Sequence, residues 1–160
     1  MKKFLSLALS FVLLTGCFGL NVFAEEVSYP KVTHNFVTTE DFASDEWSAD
    51  QRGAYLLNGT SSITRKDSSH INISGCTNAT RTCDEVTLIL YVERSTSYST
   101  GYGTYKTYEY TADDVYTLAK EISNIPVTRG YYYRVTGVHS VLEGSTRETT
   151  NSVTNPIDYR

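Results

Sequence analysis

Three kinds of residue in this chain could do chemistry: a histidine near carboxylates, a pair of cysteines and a cluster of tyrosines. His139 is followed closely by Glu143 and Glu148, and an imidazole beside a carboxylate can transfer protons. However, His139 lies on a predicted strand in which the positions on its face alternate with apolar core positions. This favours a hydrogen-bonded histidine at a strand edge over a general acid or base. The sequence therefore predicts no catalytic residue and no enzyme. A hydrolase based on a carboxylate pair is the weakest alternative.

The cysteines Cys76 and Cys83 follow each other closely in a polar stretch. We expect a disulfide between them, because disulfides persist in exported proteins and a short polar turn between two strands would bring them together. Two free thiols are the first alternative. A zinc site would need two further ligands, and the three histidines, His34, His70 and His139, are scattered along the chain. We therefore expect no metal and no other cofactor.

Tyrosines gather in and after a glycine-containing loop at residues 95–104. They are Tyr98, Tyr102, Tyr105, Tyr108 and Tyr110. Each combines an apolar ring with a polar tip, which suits a sugar, peptide or protein surface. The alternative is structural, because cross-strand tyrosines also stabilise exposed sheets. The sequence thus predicts these five as the candidate binding residues for a protein or glycan ligand.

The first 24 residues have the pattern of a bacterial signal peptide. Lys2 and Lys3 precede an apolar stretch at 4–14, and Val22-Phe23-Ala24 provides a small-residue cleavage signal. We therefore expect a secreted, extracellular protein that begins at Glu25. The alternative uses Leu14-Thr15-Gly16-Cys17, which matches a lipobox and would leave a cell-surface lipoprotein anchored at Cys17. No later stretch has the ~20 apolar residues of a membrane span.

The charge balance argues against nucleic acid as a partner. Removing the leader takes two of the 14 basic residues and none of the 18 acidic ones, so the net charge falls from −4 to −6. An acidic surface repels phosphate backbones and anionic lipid. The 136 residues that remain suffice for one domain with its own core.

The rest of the chain divides at residue 51. Residues 25–51 are acidic and threonine-rich, which predicts a flexible or loosely docked segment, with Trp47 as a lid over the core edge. Residues 52–160 alternate between apolar and polar side chains and predict an all-β domain. The predicted strands are 53–57, 62–65, 70–74, 86–94, 105–111, 118–125, 131–142 and 147–153, with a helical turn possible at 113–121. Residues 86–92 are apolar on both faces, which indicates a central strand.

The C-terminal half resembles a fibronectin type III domain. Tyr131, Tyr133, Val135, Gly137 and His139 take the alternate positions of that family's strand F. Ile125 takes the place of the leucine six residues before the family's corner tyrosine, which is Tyr131 in this resemblance. The strand B tryptophan and the proline of the family are absent, the latter replaced by Val127. The resemblance implies an immunoglobulin-like antiparallel β-sandwich, with Leu88, Leu90, Val92, Tyr133 and Val135 in its core.

A second resemblance spans most of the domain. Residues 52–56, 73–79, 84–94 and 130–139 look like those of a family of small secreted proteins of unknown function from Gram-positive bacteria. That family implies no activity and no catalytic residue. We therefore expect a non-catalytic extracellular or cell-envelope binding module. The alternative is a secreted inhibitor or effector that docks through the loop at 95–104.

Overall fold

The structure is a computed structural model that describes residues 32–49 and 54–160. The predicted leader with Cys17, and Gly53 at the start of a predicted strand, lie outside these residues. Within them the chain forms eight β-strands, all paired antiparallel. They contain no helix of the length and apolar character needed to cross a bilayer. The strands are β1 (Val32–Thr38), β2 (Phe42–Ala49), β3 (Leu56–Arg65), β4 (His70–Ser95), β5 (Gly103–Pro126), β6 (Tyr132–Glu143), β7 (Thr146–Val153) and β8 (Ile157–Asp158).

The long strand β4 organises the sheet because it pairs with three other strands. Its residues 71–79 pair with β3, its residues 85–95 pair with β6, and β5 runs along the opposite side of both parts. The prediction that residues 86–92 form a central strand is therefore confirmed. Alternation along β4 sends one set of side chains inward, and Val86, Leu88, Leu90 and Val92 are fully buried.

β4 doubles back so that its two parts face each other. Gly75 in the first part lies against Leu88 and Leu90 in the second, and a Cβ on Gly75 would come within 2.7 Å of Leu90 Cδ2. Thr77 Oγ1 also donates a hydrogen bond to the backbone oxygen of Thr87, at 3.1 Å. Only a folded-over strand can bring residues ten positions apart into such contact, since an extended one would hold them ~33 Å apart.

β5 follows the same bend beside β4. The register between the two strands shifts between Asn78 and Cys83, and Asp114 on β5 has a positive φ of 56°. The sheet is thereby curled into two halves. The first half-sheet contains β1, β2, β3 and residues 70–79 of β4 with 117–126 of β5. The second half-sheet contains residues 103–113 of β5 and 85–95 of β4, followed by β6 with β7 and β8.

One hydrophobic core fills the space between the half-sheets. The five residues predicted for it, Leu88, Leu90, Val92, Tyr133 and Val135, have no exposed surface, which confirms that prediction. The first half-sheet contributes isoleucines from β3 and β4, among them Ile63, Ile71 and Ile73. The fold is therefore all-β and antiparallel, as the alternation indicated.

The N-terminal region differs from the flexible segment predicted at 25–51. Its described part forms β1 and β2, which extend the first half-sheet beyond β3. Ala43, Asp45 and Trp47 alternate on the inner face of β2 and are buried, so Trp47 does pack onto the core. The acidic composition was misleading because the Asp45 carboxylate is paired: it accepts a hydrogen bond from the backbone N–H of Val153 at 2.7 Å and contacts His34.

Several predicted strands are joined in the structure. The strands predicted at 70–74 and 86–94 both belong to β4, and those at 105–111 and 118–125 both belong to β5. The polar residues between them suggested turns, but they continue the pairing of β4 with β5 around the bend. For the same reason the helical turn at 113–121 is wrong: Val115, Thr117 and Leu118 pair with β4.

Candidate functional site

The five tyrosines predicted as binding residues fall into two groups. Tyr98 and Tyr102 lie in the loop between β4 and β5, which folds over the outer face of the second half-sheet. Tyr105, Tyr108 and Tyr110 lie on β5 and pack against the core. The five therefore do not share one exposed surface.

The tyrosines on β5 face inward because of their register. Tyr108 and Tyr110 are paired with Leu90 and Leu88, two fully buried residues, so their rings cover the core at the edge of the sheet. Burial raises the pKa of the Tyr108 hydroxyl. Tyr105 donates a hydrogen bond to the backbone oxygen of Pro126 at 3.1 Å. This group thus links the two parts of β5 and has little ring surface left for a ligand.

The loop tyrosines form a surface cluster with residues of β6 and the C-terminus. We call Tyr98, Tyr102, Tyr132, Arg134 and Arg160 the loop cluster. The Arg134 guanidinium lies 4.1 Å from the centre of the Tyr102 ring, and Arg160 lies 4.3 Å from that of Tyr132. Tyr98 meets Tyr132 edge to face with ring centres 5.4 Å apart. Tyr98 remains 55% exposed, so it is the outermost ring of the cluster.

Short polar contacts hold the loop in place. The Tyr102 hydroxyl donates to the backbone oxygen of Tyr98 at 2.8 Å, which closes the loop between the two rings. Ser95 Oγ donates to the Thr100 backbone oxygen at 2.5 Å and accepts from the Ser97 N–H at 3.0 Å. Gly101 adopts a φ of 74°, which suits glycine and turns the chain back toward β5. The position of Tyr98 is therefore fixed by the loop itself.

The two arginines of the loop cluster are balanced by carboxylates. Arg134 Nε donates to Glu93 at 2.7 Å, and Arg160 pairs with Asp158 at 2.9 Å. The hydrogen bonds from Arg160 lower the pKa of Asp158. Burial raises the pKa of Tyr102 to about 12, so its hydroxyl stays neutral and keeps its donor role at physiological pH. The cluster thus presents aromatic surface and hydrogen-bonding groups with almost no net charge.

His139 lies in the core and not at a strand edge. Its ring has no exposed surface, and burial lowers its pKa to about 4. It is hydrogen-bonded as predicted, with Nε2 2.8 Å from Ser152 Oγ and Nδ1 3.0 Å from Thr77 Oγ1. Ser152 in turn meets Ser61 Oγ, so a chain of buried hydroxyls crosses between the half-sheets. The sequence signal for this arrangement was Gly137, whose missing side chain leaves room beside the ring.

The two glutamates near His139 in the sequence bind elsewhere. Glu148 accepts hydrogen bonds from the backbone N–H groups of Ala54, Tyr55 and Leu56, at 2.7–3.1 Å. Glu143 pairs with Arg81 at 3.1 Å. Glu148 therefore ties β7 to the start of β3, Glu143 ties the end of β6 to the bend of β4, and neither is among the hydrogen-bond partners of the His139 ring.

The two cysteines are free thiols, which corrects the predicted disulfide. Both lie on β4, where no turn between strands brings them together. Cys76 faces the outside of the first half-sheet, with Sγ 3.6 Å from Thr117 Oγ1, whereas Cys83 is buried. Burial raises the pKa of the Cys83 thiol. Opposite orientations on one strand keep the two sulfur atoms apart.

A groove of about 540 Å³ crosses the outer face of the first half-sheet. It exists because small polar residues align across four strands: Ser44 pairs with Ser62, Ser62 with Ser74, and Ser74 with Glu121. Cys76 lies in the same groove. The groove offers hydroxyl groups and no aromatic side chain, so it is chemically unlike the loop cluster.

Among the described residues, no three His, Cys, Asp or Glu side chains lie close enough together to hold a metal ion. No curated protein and no solved structure matches the chain. Residues 22–157 match a family of unknown function, DUF6147, and the match includes β1 to β7 together with the buried Ile157 of β8. A family of unknown function agrees with the second resemblance seen in the sequence. The chain belongs to the DUF6147 family.

Proposed function

We propose that this protein is a secreted, non-catalytic binding module of the bacterial cell envelope or its surroundings, and that a protein or glycan ligand contacts its loop cluster. The signal-peptide pattern at 1–24 supports export. The observation that carries the proposal is the exposed Tyr98 ring on a loop whose backbone is held by its own hydrogen bonds.

The composition of the loop cluster supports a binding role. Tyrosine and arginine are enriched among the residues that dominate binding energy at protein interfaces. Tyr98 would contribute contact area at low entropic cost, because Tyr132 and the Tyr102 hydroxyl already fix its place. Aromatic rings flanked by hydrogen-bonding groups also suit a sugar face.

The surroundings of His139 favour binding over acid-base catalysis. A general base must reach its substrate, and His139 has no exposed surface. Its ring nitrogens are engaged by Thr77 and Ser152. A buried chain of hydroxyls around an uncharged imidazole is best explained as a polar link between the half-sheets.

We also propose a fibronectin type III-like arrangement for residues 56–153. The order of strands supports it: in the first half-sheet β3 is followed by the first part of β4 and the second part of β5, as A, B and E are in that family. In the second half-sheet the order is first part of β5, second part of β4, β6, β7, as for C′, C, F and G. β1 and β2 would then be additions beyond strand A.

A tyrosine corner supports the same arrangement. Tyr133 at the start of β6 accepts a hydrogen bond from the Thr128 N–H at 2.9 Å, and its hydroxyl lies 3.2 Å from the Thr128 carbonyl oxygen. Such a contact just before strand F is a hallmark of immunoglobulin-like sandwiches. In the sequence resemblance the corner tyrosine is Tyr131, two positions earlier.

The alternative is a secreted inhibitor or effector that docks through the same loop. It is favoured by the location of both loop tyrosines within seven residues, 96–102, since one short loop can then supply the contact with an enzyme. The two proposals share a contact surface and differ in the partner. For the inhibitor or effector, the partner would be an enzyme whose activity falls on binding.

Retention on immobilised probes tests the proposal. The chain from residue 25 onward is passed over cell-wall glycans, host glycans and purified envelope proteins, alongside the variants Tyr98→Ser and Tyr116→Ser. Tyr116 is 61% exposed on β5 and serves as the matched control. We expect retention of the unaltered chain and of Tyr116→Ser, and its loss in Tyr98→Ser. Equal retention of both variants would refute the role of the loop cluster.

A further inference from the structure

β1 is an edge strand without the usual protection against pairing with another chain. Among the described residues it pairs with β2 alone, through an uninterrupted register from Val32 to Thr38. Its sequence, Val-Thr-His-Asn-Phe-Val-Thr, contains no lysine, arginine, aspartate, glutamate or proline. Natural proteins block exposed edges with charges, prolines and bulges, because a regular edge is a template for a further strand.

The other edges of the sheet are protected in these ways. β5 carries six charged residues, namely Lys106, Glu109, Asp113, Asp114, Lys120 and Glu121. Its path is also bent at Asp114 and at Asn124, which have positive φ values. β7 carries the charged residues Arg147 and Glu148, and the N–H of Val153 at its end donates to the Asp45 carboxylate. Within residues 32–49 and 54–160, this contrast singles out β1 as the edge that remains open to pairing.

β1 also extends beyond the cover of the second half-sheet. Phe36 is paired with Asp45 and lies on the same inward face, yet Asp45 is fully buried and Phe36 is 54% exposed. The ring is stacked on His34 with centres 5.8 Å apart, which leaves its other side open. An exposed phenylalanine on an open edge is what a partner strand would cover.

We propose that β1 pairs antiparallel with β1 of a second copy of this chain, so that the two first half-sheets join into one continuous sheet. A strand of seven residues paired about a two-fold axis places Asn35 opposite Asn35 of the second copy, and Phe36 opposite His34 of the second copy. Each Phe36 ring is then covered by His34 of the other copy. Because both copies use the same strand, the interface leaves no further β1 edge exposed and gives a dimer.

The charge distribution favours a second copy over a charged partner. From residue 25 onward the chain is acidic, with a net charge of −6, so two copies repel each other over most of their surface. β1 offers them a strand of seven residues without lysine, arginine, aspartate or glutamate. Self-pairing therefore meets no like-charge opposition at the strand itself.

Sedimentation velocity over a range of concentrations tests the dimer. We expect the chain from residue 25 onward to change from monomer to dimer, and Phe36→Lys to raise the dimer dissociation constant by tenfold or more, since a charge on the edge opposes pairing. Tyr116→Lys, on the protected β5 edge, is the matched control and leaves the constant unchanged. A protein that stays monomeric at about 1 mM, or a dimer that Phe36→Lys does not weaken, would overturn the proposal.

A cysteine at the two-fold centre tests the register. Directly opposed strand residues lie close enough for a disulfide. In a background with Cys76 and Cys83 replaced by serine, and checked for folding by circular dichroism, Asn35→Cys should form covalent dimers on mild oxidation. Tyr116→Cys should form no covalent dimer. Equal cross-linking of the two variants, or none at Asn35→Cys, would contradict pairing through β1.

Discussion

Gly59 on β3 lies directly beneath the imidazole ring of His139 on β6, so close that a Cβ on Gly59 would come within 2.3 Å of His139 Cγ. The two residues belong to opposite half-sheets, and the missing side chain at position 59 is what lets the ring lie flat between them. The histidine is therefore part of the packing that holds the curled sheet closed.

Gly59→Ala should destabilise the protein by about 1–3 kcal/mol, because the added methyl group forces the buried ring away from its partners. The free energy of unfolding in urea measures this. Gly103→Ala is the control, since a Cβ at Gly103 meets nothing within 4 Å, and should change stability by less than about 0.5 kcal/mol. Equal effects of the two substitutions would contradict the close packing at Gly59.

Acidification should destabilise the folded state through His139. Its pKa is about 4 in the folded protein and 6.5 ordinarily, so between these values the unfolded chain binds the proton and the folded chain does not. Stability contributed by the neutral imidazole is present above pH 6.5 and is lost as the pH falls toward 4, by about 3 kcal/mol at 1.36 kcal/mol per pKa unit. Urea unfolding at a series of pH values should show this slope, and His139→Gln should remove most of it. An unchanged slope in the variant would assign the effect to other groups.

Tyr133→Phe should cost about 1–3 kcal/mol of stability, because it leaves the Thr128 N–H and carbonyl without their hydroxyl partner. Thermal and urea unfolding measure the loss. Tyr131→Phe is the matched comparison two residues earlier and should have little effect. A larger effect at Tyr131 would return the tyrosine corner to the position suggested by the sequence resemblance.

The thiols of Cys76 and Cys83 should both be free. Alkylation of the unfolded chain from residue 25 onward, without reductant, should add two labels. In the native protein Cys76 should react first, because Cys83 is buried and its pKa is raised. Peptide mass spectrometry reads both results. A chain that takes up label only after reduction would restore the disulfide predicted from the sequence.

The sequence predicted the core well and the path of the chain poorly. Strict alternation at Val86, Leu88, Leu90 and Val92 identified a central strand, because period-two burial needs no knowledge of partners. The bend of β4 could not be foreseen, since the stretch from Gly75 to Glu85 has the composition of a turn and its pairing depends on β5. Tertiary pairing overrides local preference there.

In the candidate site, too, some features could be predicted from the sequence and others depend on tertiary contacts. The sequence identified Tyr98 and Tyr102, but it grouped them with Tyr108 and Tyr110, whose inward orientation follows from a register that only the folded sheet reveals. It also missed Arg134 and Arg160, because contacts between a loop, β6 and the C-terminus have no signature in sequence spacing. Replacing Tyr108 and Tyr110 would thus test stability more than binding.

The affinity for the probe that retains the protein is the measurement that tests the account most directly. By biolayer interferometry Tyr98→Ser should weaken binding by about thirtyfold, the effect of removing an interface residue worth about 2 kcal/mol. Tyr116→Ser and His139→Gln should bind within about twofold of the unaltered chain, well under 1 kcal/mol. Absence of binding to every probe would contradict the proposed function, as would unchanged binding by Tyr98→Ser. Loss of binding by folded His139→Gln, with binding by Tyr98→Ser intact, would likewise contradict the loop cluster as the contact surface.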